Sequence, residues 1–129
     1  MGQTVTLKAS AGHSFDAYRA DPSGAPKGAI VVIQEIFGVN SHIRNVTDRF
    51  AAEGYVAIAP AIFDRAERDV DIGYEKSDVD HGVALRKQID LDRTLLDIAA
   101  SIAALQGAGK VGIVGYCWGG SLEIGRAHV

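Results

Sequence analysis

The most informative segment of this 129-residue chain reads Lys110-Val-Gly-Ile-Val-Gly115-Tyr-Cys117-Trp-Gly119-Gly120. Its apolar, β-branched part predicts a buried strand, and Gly119-Gly120 opens a predicted helix. Between them stands the G-x-S-x-G pattern of a nucleophile elbow, with Cys117 in place of serine. The sharp reversal from strand to helix strains residue 117 and leaves no room for side chains at Gly115 and Gly119. The pattern therefore predicts an exposed Cys117 thiol beside a helix N-terminus, which favours its thiolate.

Other interpretations of this segment have less support. A lone cysteine is usually a small buried hydrophobe, but a cysteine in an elbow pattern after a predicted strand favours a nucleophile. A phosphate-binding P-loop needs Lys after Gly120, where the chain has Ser121, and residues 115–120 lack the G-x-G-x-x-G spacing. With a single cysteine, an internal disulfide, a CxxC redox pair and a thiolate zinc site are excluded. No metal ion or cofactor is expected.

Composition places the chain among globular proteins. It is 47% hydrophobic and 22% charged, with a formal net charge of −3, which suits one folded domain and predicts no nucleic-acid partner. No apolar run approaches the roughly 18 residues of a membrane span, and the N-terminus lacks the order of a signal peptide. We therefore expect a cytoplasmic protein without a membrane partner. The oligomeric state stays open.

Hydrophobic patterning predicts an α/β fold with a doubly wound, mostly parallel sheet and an N-terminal antiparallel hairpin. Residues 3–19 alternate as two short strands, and residues 29–33 and 55–59 are apolar runs typical of strands covered on both faces, the second stopped by Pro60. A helix that begins at Asn40 or Ser41 and ends at Gly54 joins these runs into a βαβ unit.

The second half of the chain begins with a charged segment. Residues 64–80 hold seven acids and three bases and are interpreted as a solvated loop. One long helix is predicted to follow, closed by Gly107 and Gly109. Its apolar face consists of Leu91, Leu95, Ile98, Ile102 and Leu105.

A second group of functional candidates lies at the end of the first buried strand, in the stretch Gln34-Glu35-Ile36-Phe37-Gly38-Val39-Asn40. Active sites of doubly wound sheets lie beyond the carboxyl ends of the strands, so Glu35 and Cys117 are expected at the same edge. An unpaired buried charge is costly, so Glu35 is either functional or satisfied by a surface arginine or the backbone. The amides of Ile36 and Trp118 could together hold an oxyanion.

These segments resemble the dienelactone hydrolase (carboxymethylenebutenolidase) family of the α/β-hydrolase superfamily. The resemblance runs from about residue 3 to residue 121 and is carried by residues 35–40, Ala59-Pro60 and residues 112–120. It implies Cys117 as nucleophile, Glu35 as the group that deprotonates it, and the Ile36 and Trp118 amides as the oxyanion hole. It also implies hydrolysis of a small-molecule ester or lactone through a thioester acyl-enzyme.

The chain departs from the family pattern after the elbow. The triad of α/β-hydrolases follows the order nucleophile, acid, histidine, but no Asp and only His128 follow Cys117. His128 is too near along the chain to act as the base, while His13, His42 and His81 precede the nucleophile. We therefore expect a single incomplete α/β-hydrolase domain, truncated after the elbow and inactive alone. A non-catalytic binding module of the same fold is the alternative.

Two further departures concern the substrate site and the last residues. The family's enzymes use arginines to hold a substrate carboxylate and to pair the glutamate, but residues 78–81 are acidic here. Arg65 and Arg68 are nearby candidates, and the substrate-binding residues are left unknown. Read back into codons, residues 124–129 match a common sequencing-adapter read. About residues 124–129 of the domain 1–129 are therefore expected to be a non-native tail.

Overall fold

A computed structural model describes residues 2–115, which form a five-stranded mixed sheet with helices on both faces. The sheet order is β1-β2-β4-β3-β5; the β1–β2 and β2–β4 pairs are antiparallel, and the β4–β3 and β3–β5 pairs are parallel. This architecture confirms the predicted doubly wound α/β fold with an N-terminal hairpin. The elements are β1 (Gln3–Lys8), β2 (Ser14–Ala20), β3 (Ala29–Ile33), α1 (Ser41–Ala52), β4 (Val56–Pro60), α2 (Lys76–Gln88), α3 (Leu91–Ala104) and β5 (Val111–Gly115).

The β3–α1–β4 unit forms as the sequence predicts. Asn40 caps α1, since its side-chain oxygen accepts a hydrogen bond from the Ile43 amide at 3.1 Å. Gly54 follows the helix with a φ of +104°, a conformation that glycine adopts at little cost. Strand β4 runs one residue further than predicted, because Pro60 still pairs with Ala17 of β2. Pro60 therefore belongs to the strand instead of stopping it.

Each face of the sheet has its own hydrophobic core. On one face, α3 and its C-terminal end bury Leu95, Ile98 and Leu105 against residues such as Val31 and Ile58. On the other face, α1 buries Ile43 and Val46 against Val32 and Ala59. Fully burying one such aliphatic side chain contributes about 1.5–3 kcal/mol, so both helices are held mainly by these faces.

The interpretation of residues 64–80 as one solvated loop is wrong at both ends. A 3₁₀ helix covers Ile62–Arg65, and Asp64 within it is buried. Helix α2 begins at Lys76, where Glu75 and Asp78 form a reciprocal capping box. The local sequence does not reveal either element, because the segment is rich in charged residues and most of their side chains do lie at the surface.

The helix predicted from the apolar spacing of residues 91–105 is α3, but it does not follow the charged segment directly, because α2 is a separate helix before it. Asp90 caps α3 by accepting a hydrogen bond from the Arg93 amide at 3.3 Å. Leu91 stands outside the core face, since it is 51% exposed, whereas Leu95 and Ile98 are buried. Within residues 2–115, no helix combines the length and hydrophobicity that crossing a membrane requires.

A buried ion pair joins the 3₁₀ helix to α3. Arg65 donates two hydrogen bonds of 2.8 Å from Nε and Nη2 to the carboxylate of Asp97, whose side chain is fully buried. Bidentate geometry of this kind compensates for the loss of water around both charges. The pair therefore fixes the segment after β4 against the α3 face of the sheet.

Removing one partner of this pair should destabilise the fold strongly. Arg65→Met or Asp97→Asn is expected to lower the free energy of unfolding by about 3–5 kcal/mol, because a charge or polar group is left buried without its partner. The double variant should lose less than the sum of the two. The exposed Lys76–Asp80 pair, 3.1 Å apart, is the matched control and should show a coupling energy below about 1 kcal/mol. Urea unfolding of all variants measures this, and additive losses at Arg65 and Asp97 would contradict it.

Candidate active site

The parallel pairing of β3 and β5 brings the carboxyl ends of these two strands to one edge of the sheet. Ile33, the last residue of β3, pairs with Gly115, the last residue of β5. Glu35 and Ile36 follow β3 directly, and Gly115 is the first of the predicted elbow glycines. The predictions for Cys117, Trp118 and Gly119, and for the tail at 124–129, lie outside the described residues.

Residues 35–38 form a tight turn beyond β3. The Gly38 amide donates to the Glu35 carbonyl at 3.3 Å, and Gly38 has a φ of +84°. A Cβ at Gly38 would also collide with the carbonyl of Val70, so only glycine fits. Residues 70–72 lie along this turn, and the Ile72 amide donates to the Phe37 carbonyl at 3.1 Å. The turn is therefore fixed from outside as well as by its own hydrogen bond.

Gln34 connects the ends of two neighbouring strands. Its fully buried side chain accepts a hydrogen bond from the Ile62 amide at 2.9 Å through Oε1 and donates to the Glu35 carbonyl at 3.0 Å through Nε2. Both hydrogen bonds satisfy backbone groups that the strands leave unpaired at their ends. Gln34 is not among the site residues predicted from the sequence, although an amide directly after a buried apolar run is a usable signal.

Glu35 has a half-buried side chain that makes no hydrogen bond or ion pair with any of residues 2–115. The two arginines considered from the sequence are engaged elsewhere: Arg65 binds Asp97, and Arg68 donates to the Ser14 carbonyl at 2.7 Å and lies 3.4 Å from Asp64. The alternative in which a surface arginine satisfies Glu35 therefore finds no support in the described part of the chain.

The amide of Ile36, the next residue in the chain, has no backbone acceptor. Within residues 2–115, its N–H donates to no other backbone group. Its carbonyl lies against α2, where a Cβ at Gly82 would collide with it. Gly82 thus allows α2 to approach the turn closely. A glycine inside a helix costs about 1 kcal/mol relative to alanine, and this cost is the signal that could have pointed to Gly82.

A cavity of about 250 Å³ lies beside this edge, between β2, α1 and residues 61–71. Neither Glu35 nor Ile36 lines it. Burial raises the pKa of the Asp64 carboxyl in its wall, while a 2.8 Å hydrogen bond from the Asp16 amide and the nearby Arg68 act in the opposite direction. The lining residues are Thr4, Asp16, Ala17, Tyr18, Val39, Arg44, Ala61, Asp64, Asp69, Val70 and Asp71.

Comparison with known proteins agrees with this fold. A model of the dienelactone hydrolase family covers residues 15–128 of the chain. The chain belongs to this family. The resemblance seen in the sequence is therefore confirmed.

Individual relatives agree with the family match. A protein of Synechocystis sp. named "Putative carboxymethylenebutenolidase" is 44% identical over 109 residues, which cover 80% of this chain and 44% of its own length. A Pseudomonas putida protein named "Carboxymethylenebutenolidase" is 31% identical over 123 residues, which cover 92% of this chain and 52% of its own length. The crystal structure of a "Putative Dienelactone Hydrolase" from Klebsiella pneumoniae is 32% identical with a TM-score of 0.75, covering 97% and 55%. This family member spans about half the length of these relatives.

The three upstream histidines stand at different places in the fold. His13 lies in the β1–β2 connection, stacked on Phe15, and burial together with the charge of Arg65 lowers its pKa. His42 is on α1, and His81 on α2 lies 2.9 Å from a carboxylate oxygen of Glu67. His128 lies outside the described residues.

Gly82→Ala should displace the site turn. Overpacking against a backbone carbonyl costs about 1–3 kcal/mol, partly offset by the roughly 1 kcal/mol that alanine gains in a helix. We expect a net loss of unfolding free energy and altered amide NMR shifts at Glu35 and Ile36. Gly24→Ala is the matched control, because a Cβ at Gly24 meets no atom within 4 Å. Equal stability and unchanged shifts in Gly82→Ala would contradict the close approach of α2.

Asp64→Asn should become relatively more stable as the pH rises. The folded pKa of Asp64 lies above its ordinary value of 3.8, so its contribution to stability is present below the unfolded pKa and is lost as the pH rises through the folded pKa. Asparagine does not ionise and still accepts from the Asp16 amide. The unfolding free energy of the variant relative to wild type should therefore be higher above the folded pKa of Asp64 than at acidic pH. Asp92→Asn, at an exposed position of α3, controls for loss of a carboxylate.

Proposed function

We propose that this chain carries the nucleophile of a hydrolase that acts on small-molecule carboxylic esters or lactones. One observation carries the proposal. Cys117 stands two residues beyond Gly115, and Glu35 stands two residues beyond Ile33, the partner of Gly115 across the β3–β5 pair. Because neighbouring strands lie about 4.8 Å apart, this equal offset supports direct proton transfer between the Cys117 thiol and the Glu35 carboxylate.

The proposed first step forms a thioester. The Cys117 thiol transfers its proton to the Glu35 carboxylate, and the thiolate Sγ adds to the carbonyl carbon of the ester. Collapse of the tetrahedral intermediate breaks the C–O bond to the leaving group. The departing alkoxide takes the proton back from Glu35, so the step ends with a free alcohol, an acylated Cys117 and an ionised carboxylate.

The oxyanion of the tetrahedral intermediate needs donors that are not already used. The Ile36 amide fits this role, because it donates to no other backbone group within residues 2–115. Together with the amide of Trp118 it forms the proposed oxyanion hole. Losing one donor of such a pair costs about 2.7–4 kcal/mol of transition-state stabilisation in comparable sites.

Release of the acyl group needs a further base to activate water. Residues 118–129 contain no Asp, and His128 is their only histidine. We therefore propose that the 129 residues alone stop at the acyl-enzyme, and that a complete site takes an Asp and a His from elsewhere in the family's domain.

Acylation of the full 129-residue chain tests this proposal. Incubation with para-nitrophenyl acetate should add one acetyl group at Cys117, located by mass spectrometry of peptides, with no sustained product release. Cys117→Ala should remain unmodified. Labelling no faster than that of a cysteine in an unfolded peptide would instead favour the non-catalytic binding module.

The role of Glu35 is tested separately by Glu35→Gln. General base catalysis contributes about 100-fold or more, so the rate of Cys117 acylation at neutral pH should fall by about that factor. The deficit should shrink at alkaline pH, where the thiol ionises without help. Glu53→Gln, at an exposed carboxylate that ends α1, is the matched control. An unchanged rate in Glu35→Gln would remove Glu35 from the mechanism.

A further inference from the structure

Tyr74 presents an aromatic ring at the surface beside the site turn. Its side chain is 61% exposed, and Leu91, at 51%, is the other large hydrophobic residue exposed to this degree in the described chain. A single exposed apolar side chain is ordinary in soluble proteins. What distinguishes Tyr74 is the set of contacts that holds its ring in place.

Two side chains fix the Tyr74 ring. Phe37 packs against it in an edge-on arrangement, with the ring centroids 4.5 Å apart and the planes at 70°. The buried Asn40 amide donates from Nδ2 to Tyr74 Oη at 3.0 Å, while its Oδ1 caps α1. One side of an exposed ring is thus anchored to the first turn of a helix. Such an anchored ring has already lost the rotamer freedom that binding would otherwise take from it.

The anchored ring belongs to the turn that carries Glu35. Phe37 lies inside the 35–38 turn, two residues after Glu35, and residues 71–72 pair with residues 37–38 of the same turn. Tyr74 lies two residues beyond Ile72, the last residue of this paired segment. The Glu35 carboxylate, the Ile36 amide and the Tyr74 ring are therefore carried by one small, internally bonded unit.

We infer that Tyr74 is a specificity-determining residue, which contacts an aryl ring of the substrate and so favours aryl esters over alkyl esters. The inference rests on the proposed function for the place where the substrate binds. The contact between an aryl ring and Tyr74 does not depend on the chemistry at Cys117. Offset or edge-on stacking of a substrate ring on Tyr74 adds to affinity without any role in the chemistry. Tyr74 is accordingly expected to affect binding of the aryl group and not the reactivity of Cys117.

Selectivity among esters gives the first test. Acylation of Cys117 is followed with phenyl acetate and with cyanomethyl acetate, an activated ester without a ring. Tyr74→Ala should slow acylation by phenyl acetate by about twofold to tenfold, the effect of one aromatic contact, and leave cyanomethyl acetate unchanged. Tyr74→Phe keeps the ring and its packing on Phe37 but loses the hydrogen bond from Asn40, so its rate should fall between those of wild type and Tyr74→Ala. Leu91→Ala, the matched exposed control, should alter neither rate.

A binding measurement separates failure of this inference from failure of the proposed function. Acetanilide, an aryl amide that does not acylate cysteine, is titrated into the full chain and followed by NMR at residues 35–40 and 74, with N-methylacetamide as the probe without a ring. Weaker acetanilide binding in Tyr74→Ala but not in Leu91→Ala supports the inference even if Cys117 is never acylated. Equal effects on both probes, or a loss in Tyr74→Phe as large as in Tyr74→Ala, would overturn it.

Discussion

The parallel pairing of β3 with β5 is the contact on which the site depends. Five residue pairs, from Ala29 with Val111 to Ile33 with Gly115, set the register. A slip by one residue would turn every side chain of a strand to the opposite face. Since β3 is buried and also pairs with β4, such a slip would expose the core on both faces of the sheet. The hydrophobic cores therefore fix the position of Gly115, the end of β5, relative to the turn that follows β3.

Beyond the strand ends, the site turn is positioned by backbone contacts from several elements. Gln34 joins it to the segment after β4, residues 70–72 lie along its outer side, and α2 reaches its Ile36 carbonyl through Gly82. These contacts use glycine and backbone groups, which vary little in position once the elements are packed. The turn is consequently held by contacts from several elements in addition to its own hydrogen bond.

The fold could be predicted from local patterns where one residue type dominates a segment. Apolar runs marked β3, β4 and β5, and Asn40 marked the start of α1. Local patterns were wrong for residues 64–80, because charged residues were assumed to face solvent. Asp64 and Asp97 are buried instead, each held by a partner distant in the sequence: the Asp16 amide and the Arg65 guanidinium. Partners of this kind are fixed by tertiary packing, which no local pattern reports.

The candidate site shows the same division. Glu35 could be located because topology alone brings the carboxyl ends of parallel strands together, whereas Gln34, Gly82 and Tyr74 are defined by contacts made across the fold. The surroundings of the Glu35 side chain are also set by contacts made across the fold. Within residues 2–115, Asp64, Asp71 and Asp97 each face a guanidinium, but Glu35 faces none. A guanidinium beside an ionised carboxylate makes that carboxylate a weaker proton acceptor. Within the described residues Arg65 and Arg68 bind other groups, which is compatible with the proposed transfer of a proton from the Cys117 thiol to Glu35.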